Sequence, residues 1–120
     1  MQTLKDKVIV ITGAGGAIAG AVAESFAKAG ARLLLVDRDL VRIEGRASSY
    51  NAPVVESQLN SFEEAQQMVD TAKNTYGKVD GLVHLVGDMD TSTVLDTPLD
   101  AYDRVFNSNV RTLFYSVKAV

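Results

Sequence analysis

The sequence predicts an α/β fold, a doubly wound parallel sheet of four strands in the order 3-2-1-4 with helices on both faces, left incomplete at one edge. Three observations carry that expectation. Four compact apolar runs alternate with segments of helical periodicity, which implies successive strand–helix–strand crossovers. The first two runs, VIVI and LLLV, are unbroken rather than alternating, as in strands buried on both faces. A glycine-rich turn joins the first run directly to the first helical segment.

The elements follow in order. Val8 to Ile11 form the first strand, bounded by charge before it and by TGAGG after it. From Ile18, Val22 and Phe26 recur every fourth residue beside Ala19, Ala23 and Ala27, and Gly30 ends that helix. Leu33 to Val36 form the second strand, closed by Asp37, and a polar, weakly helical stretch runs on to about Tyr50. Pro53, Val54 and Val55 open a third strand. Ser61 and Glu64 form a capping-box pattern ahead of a helix marked by Phe62, Ala65, Met68, Val69, Ala72 and Tyr76 and stopped by Gly77. Leu82, Val83, Leu85 and Val86 give the fourth strand. Thr97 as N-cap, Pro98 in the first turn and Asp100 then start a last helix with Tyr102, Val105, Phe106, Val110, Leu113, Phe114 and Val117 on its apolar stripe.

Bulk properties narrow the function. The 120 residues, 47% hydrophobic and 22% charged, suit a single domain spanning residues 1–120. A net charge of -3 with interspersed signs argues against nucleic acid and against an anionic membrane surface, and favours a small-molecule partner. Without cysteine, and with one histidine, no metal site is expected. The N-terminus shows no long apolar segment, so a cytoplasmic location is the expectation.

Thr12, Gly13, Ala14, Gly15 and Gly16 lie between the first strand and the first helix, where absent side chains let backbone N–H groups approach a pyrophosphate at the positive helix end. The turn is equally readable as a tight turn without a ligand. The spacing G-x-G-x-x-G is not met, since a third glycine would fall on Ile18. Asp37 ends the second strand, where the adenosine ribose of a dinucleotide would lie; its carboxylate can accept from both ribose hydroxyls and repel a 2′-phosphate. The expected cofactor is therefore NAD, with NADP less favoured. Asp37 is also readable as the cap of the following turn, and the neighbouring Arg38 would tolerate a phosphate.

The stretch TGAGGAIAG, followed by a helix and LLLVDRD, resembles the cofactor-binding opening of the short-chain dehydrogenase/reductase family, usually T-G-x-x-x-G-x-G. Thr12 and Gly13 match it, while Ala17 and Ala19 stand in place of its later glycines. The resemblance continues through Gln58, Leu59 and Asn60, where the family has an adenine-contacting segment; Gln58 would offer its amide and Leu59 its backbone. KVDGLVHLVG resembles the fourth strand of the family, which ends Asn-Asn-Ala-Gly; here those positions are His84, Leu85, Val86 and Gly87. DRVFNSNVRTLF resembles the segment carrying the active-site asparagine, and Asn109 falls on it. The resemblance implies a Rossmann-type sheet and hydride transfer between a nicotinamide cofactor and a carbonyl or alcohol substrate. It also implies a homo-oligomer, a helix distortion at Asn109, and a bound water there in a proton relay. Candidate cofactor-binding residues are Thr12, Gly13, Gly15, Gly16, Ile18, Asp37, Arg38, Gln58, Leu59 and Gly87; Asn109 is the catalytic candidate.

His84 reads as a structural residue, because no orienting partner is identifiable for a general base. Asn109 sits on the apolar stripe of the last helix, where its amide requires partners whether its role is structural or functional. The serine and the Tyr-x-x-x-Lys pair that complete the active site in the family have no counterpart here; Tyr115 and Lys118 are three apart rather than four. The expectation is the N-terminal, nucleotide-binding half of an oxidoreductase domain, inactive alone, with a non-catalytic dinucleotide-binding module or scaffold as the alternative. An unpaired edge on the fourth strand would favour self-association.

Overall fold

A computed structural model describes residues 3–120. The elements are β1 (Val8–Thr12), α1 (Ala17–Lys28), β2 (Arg32–Asp37), α2 (Leu40–Tyr50), β3 (Val54–Glu56), α3 (Phe62–Tyr76), β4 (Gly81–His84), α4 (Leu99–Phe106), a π-helical turn (Asn107–Arg111) and α5 (Thr112–Ala119). The strands form one parallel sheet in the order β3-β2-β1-β4. Alternating residues of the central strands feed two cores. Ile9, Ile11, Leu33 and Leu35 pack on Ala19 and Ala23 of α1 and on Ile43 and Ala47 of α2. Val10, Leu34 and Val36 pack on Ala65, Met68, Val69 and Ala72 of α3, joined by Tyr115 and Ala119 of α5. Unbroken apolar strands are thus explained by helices on both faces.

Register places the functional rim. Thr12 pairs with Val36 on one side and with His84 on the other, so the carboxyl ends of β1, β2 and β4 are level. Local chemistry fixes the helices between them. The Asp39 side chain caps α2 by accepting from Val41 N at 3.0 Å, and Asn51 closes it in the left-handed region. Ser61 caps α3, accepting from Glu64 N at 3.2 Å, and Gly77 ends it at φ 86°.

Four local expectations are corrected. The third strand lies one residue further on than its predicted start at Pro53. The fourth strand spans Gly81–His84 rather than reaching Val86: Leu85 N still bonds to Thr12 O at 3.1 Å, but the backbone then turns across Gly13. Thr97 is not the cap of α4; its hydroxyl donates to Thr93 O at 2.7 Å, and Pro98 occupies the cap position. The apolar stripe of the last helix is not buried, with Phe106 at 51% and Val117 at 60% exposure. Exposure begins ahead of the π turn, at Tyr102 and Phe106 of α4, so the turn is not its cause; the turn is the helix distortion that the resemblance implied at Asn109. Beyond it Thr112 and Ser116 face inward.

Candidate functional site

The glycine turn is built by its neighbours. Gly13 has φ +66°, and a Cβ there would lie 2.7 Å from the carbonyl carbon and oxygen of Leu85, so only glycine fits against the end of β4. Ala14 N bonds to Val36 O at 3.0 Å and Gly16 N to Gly13 O at 3.2 Å. The Arg46 guanidinium of α2 donates to the carbonyls of Ala14 and Gly16, fixing two peptide planes of the turn. A Cβ at Gly15 would meet Arg42 and one at Gly20 would meet Arg46, so these glycines admit the two arginines. At its other end the turn delivers the N-terminus of α1, which has no side-chain cap and no acid in its first turn. That leaves N–H donors and the positive end of the helix dipole for an anion.

Asp37 is the turn cap of one sequence reading and is also tied to the glycine turn. Its Oδ2 accepts from Asp39 N at 3.1 Å, which makes it a turn cap, and its Oδ1 accepts from Gly15 N at 3.2 Å, which ties it to the glycine turn. Arg42 lies 3.7 Å from Oδ2, and the residue is 5% exposed. Each carboxylate oxygen carries further acceptor capacity toward the cleft. After β3, Ser57 N bonds to Asp37 O at 3.0 Å; Ser57 Oγ accepts from Leu59 N at 3.0 Å and donates to Glu64 Oε1 at 3.1 Å. Leu59 N is therefore engaged within the chain and its side chain lies in the core, while Gln58 faces the cleft and accepts from Asn60 Nδ2 at 3.1 Å.

The third wall follows β4. Asn109 Oδ1 accepts from Asp88 N at 3.2 Å, and its Nδ2 donates to Asp88 O at 2.7 Å and to Val105 O at 2.8 Å. Its amide thus pins the chain after β4 to the π turn. Gly87 is needed for this approach, because a Cβ there would lie 2.6 Å from Asn109 Oδ1. Met89 N–H and the Arg104 guanidinium both bond the Asp88 carboxylate, holding its pKa below the ordinary carboxylate range. His84 finds the two partners the sequence did not reveal: Thr12 Oγ1 is 2.8 Å from Nδ1 and Thr112 Oγ1 is 3.2 Å from Nε2.

These walls enclose a cleft of about 610 Å³ at the carboxyl ends of the strands, the place where open α/β sheets bind ligands. Gly13, Gly16, Asp37, Arg38, Gln58 and Gly87 line it, as does Asn60 of the adenine-contacting segment, together with Arg42, Arg104, Ser108 and Thr112, which sequence reasoning missed. Thr12, Gly15, Leu59 and Asn109 stand behind the lining rather than on it. Ile18 lies on α1, 70% exposed and off the cleft wall. Arg42 and Arg46, four residues apart on one helix face after Asp37, were a readable signal; Arg104 and Thr112 gave none. Among the described residues no cluster of three or more His, Asp or Glu side chains forms a metal centre, and no helix is long and apolar enough to cross a membrane.

Comparison with known proteins agrees with this architecture. The chain is similar to an uncharacterized oxidoreductase of Staphylococcus aureus strain MW2, 30% identical over 122 residues that cover 99% of this chain and 53% of that protein. It is similar to another of Staphylococcus saprophyticus, 30% identical over 126 residues, 100% of this chain and 54% of that one. Among solved structures, a Brucella melitensis 3-ketoacyl-(acyl-carrier-protein) reductase complexed with NADH superposes with a TM-score of 0.89 at 30% identity, covering 96% of this chain and 48% of the reductase. A short-chain dehydrogenase of Mycobacterium smegmatis shares the fold with a TM-score of 0.93 at 22% identity, over 99% of this chain and 52% of its own. The chain therefore spans about half the length of the relatives it matches. A family model described as short chain dehydrogenase matches residues 7–120; with the parallel sheet, the glycine turn and the cleft at its rim, the chain belongs to the short-chain dehydrogenase family.

Proposed function

We propose that the chain is the N-terminal, dinucleotide-binding half of a single Rossmann domain in an NAD(P)-dependent oxidoreductase, acting between a nicotinamide cofactor and a carbonyl or alcohol substrate. One observation carries the reading: the Gly15 N to Asp37 Oδ1 bond of 3.2 Å joins a phosphate-sized turn to a ribose-facing carboxylate in one cleft. The spacing of those two groups is thereby fixed before any ligand arrives, which lowers the ordering cost of binding. The uncapped end of α1 would hold the pyrophosphate, Asp37 the ribose hydroxyls and Gln58 the adenine edge. When bound, the nicotinamide supplies the hydride acceptor or donor. Asp37 would disfavour a 2′-phosphate, so NAD(H) is the proposed cofactor. Asn109 would support a proton relay through the backbone of the π turn, since both N–H bonds of its amide are taken by Asp88 and Val105. The setting proposed is cytoplasmic. The exposed face of Phe106, Phe114 and Val117 would meet a second copy in a homo-oligomer.

Fluorescence titration of the 120-residue chain with NADH, after a sizing column has shown a folded and monodisperse sample, tests the reading. Saturable binding supports it, and no binding by such a sample overturns it. Tighter binding of NADPH would overturn the cofactor assignment. Lacking Tyr-x-x-x-Lys, the chain is expected to show no turnover with carbonyl substrates. The replacement of Asn-Asn-Ala by His84, Leu85 and Val86 favours a second reading, a non-catalytic nucleotide-binding module. Binding without turnover by a longer protein that contains the serine and the Tyr-x-x-x-Lys pair would support it.

A further inference from the structure

The hydrogen bonds around His84 can be satisfied in one way. Thr112 Oγ1 lies 2.5 Å from Ser108 O, and a carbonyl only accepts, so the single Thr112 hydroxyl proton points there. At 3.2 Å from His84 Nε2, Thr112 Oγ1 must then accept, which places a proton on Nε2. In a neutral ring Nδ1 is bare, and it accepts from the Thr12 hydroxyl at 2.8 Å. The chain of bonds runs from Thr12 at the end of β1, through His84 at the end of β4, to Thr112 and Ser108. It thus reaches the π turn itself. There Thr112 N bonds to Asn107 O, five residues back, which leaves Ser108 O for the Thr112 hydroxyl. The side-chain bond therefore satisfies a carbonyl that an ordinary helix would satisfy with backbone.

We propose that His84 is a positioning residue: in its neutral Nε2–H form it holds the π turn in register against the glycine turn, and gaining a proton loosens the cleft wall formed by Asn107, Ser108 and Thr112. Thr12 is fully buried, and among the described residues its hydroxyl has no hydrogen-bond partner besides His84. A proton on Nδ1 would face that hydroxyl with a second donor and strand the Thr12 proton. Burial pushes the His84 pKa below its ordinary 6.5. Around it, β1 presents Thr12 and α5 presents Thr112. The charged groups nearby in the fold are engaged elsewhere or exposed: Lys118 lies over the Phe62 and Phe114 rings, Arg104 pairs with Asp88 and Asp90, Asp80 pairs with Lys78, and Arg111 faces solvent.

The effect on ligand affinity rests on the function proposed above; the effect on the π turn does not. Because His84 is the only histidine, its ring nitrogens are unambiguous by NMR. The expected spectrum at about pH 7.5 is the Nε2–H tautomer, and on acidification the backbone amides of Asn107–Thr112 shift with the same midpoint as the imidazole, below 6.5. In Thr112→Val the imidazole still titrates and those amides no longer follow. NAD⁺ affinity in the unaltered chain falls as pH is lowered from about 7.5 through the His84 midpoint, toward a limit of roughly tenfold for each unit by which binding lowers the imidazole pKa, and Thr112→Val abolishes that pH dependence. An Nδ1–H tautomer, or π-turn amides that stay still while His84 titrates, would overturn the proposal even if the variant failed to fold. An affinity loss equal in both proteins would overturn its ligand-affinity part. Absence of NAD⁺ binding at every pH refutes the dinucleotide site, while the amide titration decides the role of His84 independently.

Discussion

Gly87→Ala offers a quantitative test of how the Asn109 clamp is built. Gly87 is not among the glycines with positive φ, so alanine there meets no backbone penalty and the cost must come from contact. The new Cβ would sit 2.6 Å from Asn109 Oδ1, and relieving it to ordinary contact near 3.4 Å requires a shift of about 0.8 Å. An amide displaced that far cannot keep bonds of 3.2, 2.7 and 2.8 Å together. Losing two of them costs about 1–3 kcal/mol at the usual net value per bond. With a urea m-value of roughly 1.5 kcal/mol/M, the unfolding midpoint should fall by about 1 M. The discriminating measurement is a double-mutant cycle with Asn109→Ala. If the clash is the cause, Gly87→Ala costs under about 0.5 kcal/mol once the amide is gone. Equal cost in both backgrounds would refute the reasoning.

Gly13→Ala should be more damaging, since a left-handed φ adds about 1–2 kcal/mol to a clash with backbone that cannot swing away; urea titration should show a loss of about 2–5 kcal/mol in all. Asp37→Asn removes the charge that opposes a 2′-phosphate, so the preference for NADH over NADPH should fall by at least about tenfold in paired titrations; an unchanged ratio would remove Asp37 from cofactor choice. Stability should also depend on His84. Its folded pKa lies below 6.5, so unfolding takes up a proton between the two values, and its contribution is complete above about pH 6.5 and lost as pH falls toward the folded pKa. Urea midpoints followed from about pH 8 to 5 should therefore drop further for the unaltered chain than for His84→Gln, and parallel curves would contradict the linkage.

Much of this protein was determined by the sequence itself. Consecutive branched residues at Val8–Ile11 and Leu33–Val36 require cover on both sides, and the 3.6-residue spacing of the segments between them supplies it, so strand order and two-faced layering were legible. So were the glycine turn at the head of α1 and Asp37 at the end of β2, because such positions follow from chain order once the strands are known. Tertiary structure decided how these pieces meet. Gly15 bonds to Asp37 across 22 residues, Asn109 to Asp88 across 21 and His84 to Thr12 across 72, and none of these distances is implied by periodicity. The π turn is the sharpest case: Thr112, which follows Asn107–Arg111, reaches His84 across 28 residues, a contact that helical periodicity does not indicate. Local pattern records which face is apolar and where a turn must fall; the contacts that build the cleft depend on sheet register and on hydrogen bonds that form only when distant segments are already in place.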